Sequence, residues 1–326
     1  MRRRSVLTGV AGLLAVRAGG AEAQSDGFPD RAVTMIVPFP PGGATDQVGR
    51  PLAAALQQHW KQSVVVQNRG GAGGGIGMLA TANSRPDGYT FMLGHPSISS
   101  IPAADRLFGR PVTVERSMFE PLALLAADPL ILVVKGDAPW KTLDDFLADA
   151  RKQPGRLTYS SSGAYGPLHL PIEMLAQATG VRLQHVPFTG GGPAITAVLG
   201  GHVAATVGSP AVVAPQIQSG ALRALVCTGA KRVTLLPEVP TAVELGNSDA
   251  EFYLWVGAFA PLRTPPGNLQ ALRRGIGEVA RDTAFLGQMQ AIGLPLDYRD
   301  GSDFASFLDR DAARIEAAIQ RIGRVE

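Results

Sequence analysis

The chain has 326 residues, with 30 basic and 27 acidic side chains and a hydrophobic share of 45%. A chain of this length can build two lobes that each bury a core of their own. The first 23 residues hold four arginines and one glutamate, so the remainder is balanced at 26 basic and 26 acidic side chains. This balance, together with the lack of a Lys/Arg-rich run in the sequence, argues against a nucleic-acid partner.

The N-terminal segment predicts export. Arg2–Arg4 form a basic stretch, Val6–Val16 is a short apolar run, and Ala21–Ala23 is a small-residue cleavage site. This pattern is typical of a secretory signal and is too short to span a membrane. Arg3 and Arg4 predict the twin-arginine type, with a Sec signal as the alternative. We therefore predict a signal peptide over residues 1–23 and a soluble mature protein in the periplasm.

The first element of the predicted fold is an apolar, β-branched strand over Val33–Phe39. The turn Pro40–Gly43 ends it, and Thr45 or Asp46 can N-cap the helix that follows. Such a turn directs backbone N–H groups and a positive helix end to the carboxyl edge of a sheet, where an anion fits. The alternative is a tight connection that binds nothing. Pro51 within the helical pattern predicts a late start or a kink.

A second Gly-rich turn follows the next predicted strand, Ser63–Gln67. The segment Gly70–Gly77 leads into a helix over Met78–Asn83, and its G-x-G-x-x-A pattern from Gly75 loosely matches a dinucleotide fingerprint. We reject that function because the third strand, Tyr89–Leu93, lacks the acidic residue that would bind the ribose at its end. A second cradle of backbone N–H groups, facing the first, is the better interpretation.

Prolines in the middle of the chain predict an irregular segment over Ile98–Met118. The apolar strands Phe119–Leu125 and Leu130–Val134 follow, and the Pro-containing break at residues 126–129 predicts a crossing between lobes. Thr142 then N-caps a predicted helix over Leu143–Gln153.

Further strands again deliver loops rich in glycine and hydroxyl groups. Leu157–Tyr159 leads into Ser160–Pro167, Gln184–Phe188 leads into Thr189–Pro193, and Val203–Val207 ends at Gly208 and Ser209. These loops use the same physical device as the opening loops without repeating their sequence.

The C-terminal part predicts a return to the first lobe. Tyr253–Pro261 is an apolar, aromatic strand, preceded by a short predicted helix over Ala242–Leu245. Helices predicted over 269–281, 283–292 and 302–321 have an apolar period that indicates packing against the first lobe rather than a partner surface.

Several chemistries have no support in the sequence. No two of the five histidines have the spacing of a metal pair, and neither HExxH, CxxC, GxSxG nor a P-loop lysine occurs. Cys227 is the only cysteine, so no internal disulfide can form, and its apolar surroundings predict an inert core thiol. We predict no metal, no cofactor and no catalytic residue.

Six stretches, in order along the chain, resemble one known family. They are PFPPGGATDQVGR (38–50), VVVQNRGGAGGGIG (64–77), RPDGYTFML (85–93), HVPFTGGGPAITAVLGGHV (185–203), LPEVPTAVELG (236–246) and WVGAFAPLRTPP (255–266). The chain is similar to the extracytoplasmic solute receptors of tripartite tricarboxylate transporters, the Bug-type binding proteins. This resemblance implies a two-lobe α/β periplasmic binding protein of type II. Each lobe would be a mostly parallel sheet flanked by helices, with residues 24–126 plus 251–326 in lobe 1 and 127–250 in lobe 2.

The resemblance also implies a cleft in which loops of both lobes hold a small carboxylate. The predicted ligand-binding residues are Phe39, Gly42, Gly43, Thr45, Asp46, Gly73, Gly74, Gly75, Ser161, Ser162, Tyr165, Thr189 and Ser209. Asp46 either contacts an amino or amide group of the ligand or caps its helix.

Four positions depart from the family's usual pattern. Gly166 stands where a serine is expected, with the bulky Tyr165 beside it, and Ala197 and Ala204 stand where aspartate is common. Tyr165 would either stack on an aromatic ligand or narrow the cleft.

These observations predict a monomeric, non-catalytic receptor that delivers its carboxylate to a tripartite-type membrane permease. One alternative is a ligand sensor for a membrane kinase, which would have the same binding site. The other is a periplasmic hydrolase that uses the loop Ser160–Ser162.

Overall fold

The computed structural model describes residues 27–325, so the predicted signal peptide lies outside the described residues. The strands are β1 (Val33–Val37), β2 (Val64–Asn68), β3 (Thr90–Gly94), β4 (Phe119–Pro129), β5 (Ile131–Lys135), β6 (Thr158–Ser161), β7 (Gln184–Pro187), β8 (Ala205–Gly208), β9 (Leu222–Cys227) and β10 (Tyr253–Pro261). The helices are α1 (Ala44–Trp60), α2 (Gly75–Ala82), α3 (Ser97–Phe108), α4 (Leu143–Lys152), α5 (Leu170–Thr179), α6 (Gly191–Leu199), α7 (Pro210–Gln218), α8 (Pro266–Arg281), α9 (Thr283–Ala291) and α10 (Gly301–Ile322).

The first lobe is built on the sheet β2-β1-β3-β10-β4. β1 pairs in parallel with β2 and β3, whereas β10 is antiparallel to both β3 and β4, so four of the five strands run in one direction. Successive strand residues face opposite sides of the sheet. Met35 therefore packs with Leu52 and Leu272 of α1 and α8, while Ile36 packs with Met78 and Phe304 of α2 and α10.

The second lobe is built on the sheet β7-β6-β8-β5-β9, which repeats this design. β6 pairs in parallel with β7 and β8, and the reversed strand β5 lies between β8 and β9. One face packs against α4 and α5 through Phe146 and Leu175, and the other against α6 and α7 through Ile195 and Val213. Both sheets are thus mixed, and the two-lobe α/β architecture is as expected.

Only Leu130 separates β4 from β5, so the chain passes from one lobe to the other within a single residue. The predicted break at residues 126–129 is wrong, because β10 pairs with β4 along its full length, up to Tyr253 opposite Pro129. The chain returns between the end of β9 and the start of β10. Two adjacent passages therefore connect the lobes, which is the geometry of a hinge.

Three local predictions are also wrong. Residues 97–108 form α3 despite Pro102, because its small and apolar residues, among them Ile98 and Ala103, are buried. α1 begins at Ala44 and continues through Pro51, so the helix does not start late. Residues 242–245 form a turn rather than a helix.

The C-terminal helices do more than cover the first lobe. Phe304 and Leu308 of α10 lie in the core of the first lobe, as expected. Ile315 and Ile319, about two and three turns beyond Leu308, pack in the cluster that contains Leu175 of the second lobe. α10 therefore contacts both lobes. Within residues 27–325, no helix combines the length and the apolar character that a membrane crossing requires.

Candidate ligand-binding site

A cavity of about 40 Å³ lies between the two lobes, where strands of both sheets end at their carboxyl edges. It is lined by Phe39, Gly43, Ala44, Thr45, His95, Ser162, Pro167, Leu168, Gly191, Ile195, Val207, Gly208, Ser209, Val212 and Leu254. The wall is mostly apolar, and none of these lining residues is Lys, Arg, Asp or Glu.

Three helices begin at this cavity. Gly43 at the start of α1, Gly191 at the start of α6 and Ser209 at the start of α7 line the cavity. One helix of the first lobe therefore faces two helices of the second lobe. The first amides of an α-helix have no acceptor within the helix, and the helix dipole adds partial positive charge at that end. The cavity therefore favours an anion although no cationic side chain lines it.

Asp46 holds the β1–α1 loop in shape instead of facing the cavity. Its carboxylate accepts hydrogen bonds from the Gly42 amide at 3.0 Å, Arg50 Nε at 2.8 Å and Asn68 Nδ2 at 2.9 Å. Burial raises the pKa of Asp46, but hydrogen bonds from Arg50, Gly42 and Asn68 outweigh that effect and leave the pKa lowered. The N-cap residue of α1 is Gly43, so the N-cap role does not describe this side chain, which lies outside the cavity wall.

Three buried polar side-chain atoms at the cavity make no hydrogen bond within the described part of the chain. They are His95 Nε2, Ser162 Oγ and Ser209 Oγ. Buried polar groups almost always have partners, so such atoms at a cavity wall indicate a site for a polar ligand or water. They come from both lobes, because His95 follows β3 whereas Ser162 and Ser209 follow β6 and β8.

His95 was missed in the sequence analysis. Its Nδ1 accepts the Ser97 amide at 3.1 Å, so the hydrogen of the neutral ring lies on Nε2. Burial lowers the pKa of His95 to about 3, which keeps the ring uncharged. Its ring packs on Phe39 with 4.2 Å between centroids. The available signal was its position directly after a buried strand, at the same sheet edge as the first loop.

Five of the predicted residues line the cavity, namely Phe39, Gly43, Thr45, Ser162 and Ser209. The other eight lie outside its wall: Gly42, Asp46, Gly73, Gly74, Gly75, Ser161, Tyr165 and Thr189. Thr189 is exposed at the surface.

The second glycine-rich turn packs against the β1–α1 segment, and none of its residues lines the cavity. A Cβ atom on Gly77 would lie 2.7 Å from Pro38 Cα, and one on Gly70 would lie 2.8 Å from Pro40 Cδ. Gly74 lies behind the cavity wall, where a Cβ atom would come within 3.0 Å of Phe39 Cζ. These glycines permit close approach to the first loop.

Tyr165 faces the C-terminal chain. Its backbone φ is 55°, and its hydroxyl donates to the Gly323 carbonyl and accepts from the Val325 amide, both at 2.9 Å. Its ring makes an edge contact with Phe108. The side chain therefore neither narrows the cavity nor offers a face for stacking on a ligand there.

The two lobes touch at two places outside the cavity wall. A Cβ atom on Gly163 would lie 3.2 Å from the Gly73 amide nitrogen, and one on Gly190 would lie 2.7 Å from Pro40 Cδ. The protein is thus in a closed conformation, which accounts for the small volume of the cavity.

A Ser–His pair lies close to the cavity but lacks the access that a nucleophile needs. Ser161 Oγ lies 2.7 Å from His185 Nε2, yet Ser161 is fully buried, and its hydroxyl donates to the Gly163 carbonyl and accepts the Gly163 amide, both at 3.1 Å. Burial lowers the pKa of His185 to about 4. The arrangement stabilises the β6–α5 loop. Among residues 27–325, no cluster of three or more His, Cys, Asp or Glu side chains has the arrangement of a metal site.

Residues 48–324 match the model of the tripartite tricarboxylate transporter family receptor. Protein BugT of Bordetella pertussis is 38% identical over 290 residues, which cover 88% of this chain and 88% of that relative. An R. palustris protein solved with adipate is 30% identical, with a TM-score of 0.85 over 91% of this chain and 98% of the other. MatC from Rhodopseudomonas palustris, solved with bound malate, is 28% identical, with a TM-score of 0.83 over 90% and 100% of the two chains.

Proposed function

Because the chain belongs to the tripartite tricarboxylate transporter receptor family, we propose that it captures a small organic carboxylate between its lobes in the periplasm and delivers it to a membrane permease. The relatives solved with adipate and malate bind ligands of this chemical class. The protein would act as a monomer and without catalysis.

The observation that carries this proposal is the convergence of three helix N-termini on a cavity with no cationic side chain in its wall. A carboxylate there would accept backbone N–H bonds and bonds from Ser162 and Ser209. Each hydrogen bond to a charged group contributes about 1.5–3 kcal/mol. Several such bonds suffice for micromolar affinity, which corresponds to about −8 kcal/mol, after the costs of association are subtracted.

Ligand would select the closed conformation. Donors from both lobes contact one ligand only when the Gly163–Gly73 and Gly190–Pro40 contacts are formed, so a bound carboxylate favours closure. We propose that the two predicted lobes move as the two bodies, with their first boundary at the passage at Leu130, because β4 extends to Pro129 in the first sheet. The permease would recognise the closed form.

The absence of catalysis is supported by the surroundings of Ser161. Its hydroxyl is hydrogen-bonded to Gly163 and His185, and its side chain does not line the cavity. Ser162, which does line it, makes no hydrogen bond to any histidine in the described residues. A hydrolase would need a base in contact with the exposed hydroxyl.

A thermal-shift screen of mature protein, unfolded and refolded to remove trapped ligand, tests the proposal. Mono-, di- and tricarboxylates would be compared, and a ligand at 100 times its Kd adds about 2.7 kcal/mol of stability. We expect a saturable rise in Tm with one class of acid, a weaker rise for Ser162→Ala, and an unchanged rise for the control Gln58→Ala, an exposed position of α1. Lack of any shift across all acids would contradict the proposal.

A further inference from the structure

One lining side chain is suited to decide which carboxylate is bound. His95 is 1% exposed and lies directly after β3, where its ring packs on Phe39. Its Nδ1 is committed to the Ser97 amide that opens α3, and its Nε2 is buried without a partner among the described residues. A ring fixed in this way presents one N–H donor and no acceptor to the cavity.

The remaining wall restricts what can accept this hydrogen bond. Apolar side chains from both sides form most of the wall, among them Leu168, Ile195, Val212 and Leu254. Lys and Arg do not occur among the lining residues, so backbone amides and neutral donors must compensate all ligand charge. One carboxylate can be compensated in this way, but a second charge placed against the apolar wall would be desolvated without a partner.

We propose that His95 donates its Nε2–H to the single carboxylate of a ligand with a compact apolar body, and that it thereby selects monocarboxylates over dicarboxylates. This inference rests on the proposed function and adds the ligand class to it. His95 would act as a specificity-determining residue of the receptor. The neutral ring fits this role, because a donor without charge does not favour a second carboxylate.

Matched pairs of acids test the ligand class. Isovalerate and methylsuccinate differ by the exchange of one methyl group for a carboxylate, and benzoate and phthalate differ by one added carboxylate. Calorimetric titration of the refolded mature protein should show that in at least one pair the monoacid binds about tenfold or more tightly than its diacid. Equal or tighter binding of the diacid in both pairs would overturn the inference.

Two substitutions separate the two nitrogens of His95. His95→Asn keeps an acceptor near the position of Nδ1 but removes the donor to the cavity, whereas His95→Gln can place an amide donor near the position of Nε2. We expect His95→Asn to weaken monoacid binding by about tenfold to a hundredfold, the value of one hydrogen bond to a charged group. His95→Gln should retain most of the affinity even if it lowers Tm.

Ser99→Ala is the matched control, because Ser99 Oγ is also buried and unpartnered in the described chain but lies outside the cavity wall. The Ser99→Ala variant should bind the monoacid with the same affinity as the wild-type protein. Unchanged affinity in His95→Asn would overturn the role of His95 while leaving the receptor function intact. Failure of the wild-type protein to bind any of the mono-, di- or tricarboxylates would instead overturn the proposed function and this inference with it.

Discussion

Two loops of the first lobe are both rich in glycine but have different surroundings. The loop at residues 40–43 brings Gly43 and the first turn of α1 to the cavity. The loop at residues 70–77 packs against this segment, with Gly70 close to Pro40 of the loop and Gly77 close to Pro38 just before it. A glycine can thus leave an amide accessible to a ligand or let two backbones approach closely, and only the tertiary contacts distinguish the two uses.

The largest effect is expected from the side chain that fixes the first loop. Asp46→Ala would leave three donors without their acceptor, at Gly42, Arg50 and Asn68, which should cost on the order of 2–3 kcal/mol of unfolding free energy. Denaturant unfolding measures this loss. The control Asp144→Ala, an exposed aspartate in the first turn of α4, should lose less than about 1 kcal/mol. Equal losses in both variants would show that Asp46 does not fix the loop.

One added methyl group should change stability differently in the two loops. Gly77→Ala places a Cβ atom 2.7 Å from Pro38 Cα and 2.8 Å from the Arg69 carbonyl oxygen, so overpacking should cost about 1–3 kcal/mol. At Gly43 the nearest atom to a new Cβ is the Pro40 carbonyl oxygen at 3.9 Å. Gly43→Ala should therefore unfold at nearly the wild-type denaturant concentration. A stability loss that is larger for Gly43→Ala would reverse our assignment of the two loops.

Neighbouring serines of the second lobe provide a finer comparison. Ser161→Ala removes a hydroxyl that contacts Gly163 and His185, and should cost about 1–2 kcal/mol of stability. Ser162→Ala removes an unpartnered hydroxyl, so the ligand-free protein should keep its stability and lose affinity for the carboxylate. Denaturant unfolding of both variants measures the stability, and calorimetric titration measures the affinity for the carboxylate. Loss of affinity in Ser161→Ala alone would contradict this prediction.

The loss of stability in acid should depend on two buried histidines, His95 in the cavity wall and His169 in the second lobe. Burial lowers the pKa of His95 to about 3, and burial together with the charge of His185 lowers that of His169 to about 3. Each binds a proton more readily in the unfolded chain, whose histidine pKa is about 6.5, so each makes stability fall as pH drops from about 6.5 towards 3. His95→Asn and His169→Gln should each reduce the pH slope of unfolding free energy by about 1.4 kcal/mol per pH unit in this range.

The slope is measured by denaturant unfolding in the absence of ligand at several pH values between 4 and 7. Thr189→Ala, at an exposed position without a titratable group, should keep the wild-type slope. An unchanged slope in His95→Asn would mean that the ring is protonated in the folded protein.

Elements with strong local signals were predictable from the sequence. The helix α4 begins where Thr142 and Asp145 form a capping box, and β10 has the predicted bounds because its apolar run ends at prolines and turns. The order of strands and loops then places residues 39–45 at a sheet edge, since carboxyl ends of parallel strands meet there.

The remaining site depends on contacts that are distant in sequence. Ser161 and Ser162 are indistinguishable as letters, yet one ends β6 and the other faces the cavity. The Tyr165 hydroxyl is hydrogen-bonded to Gly323 and Val325, which lie about 160 positions later in the chain. No local sequence pattern reveals these contacts. His95 has no neighbouring motif, so its role appears only when β3 lies beside β1.

The central claim is that the helix N-termini around the cavity bind a carboxylate through its negative charge. The most direct test is calorimetric titration of the refolded mature protein with each acid that stabilises it and with the corresponding primary amide, which has nearly the same shape and no charge. We expect the acid to bind with a Kd in the micromolar range and the amide to bind at least about a hundredfold more weakly. Equal affinity for acid and amide would contradict this claim.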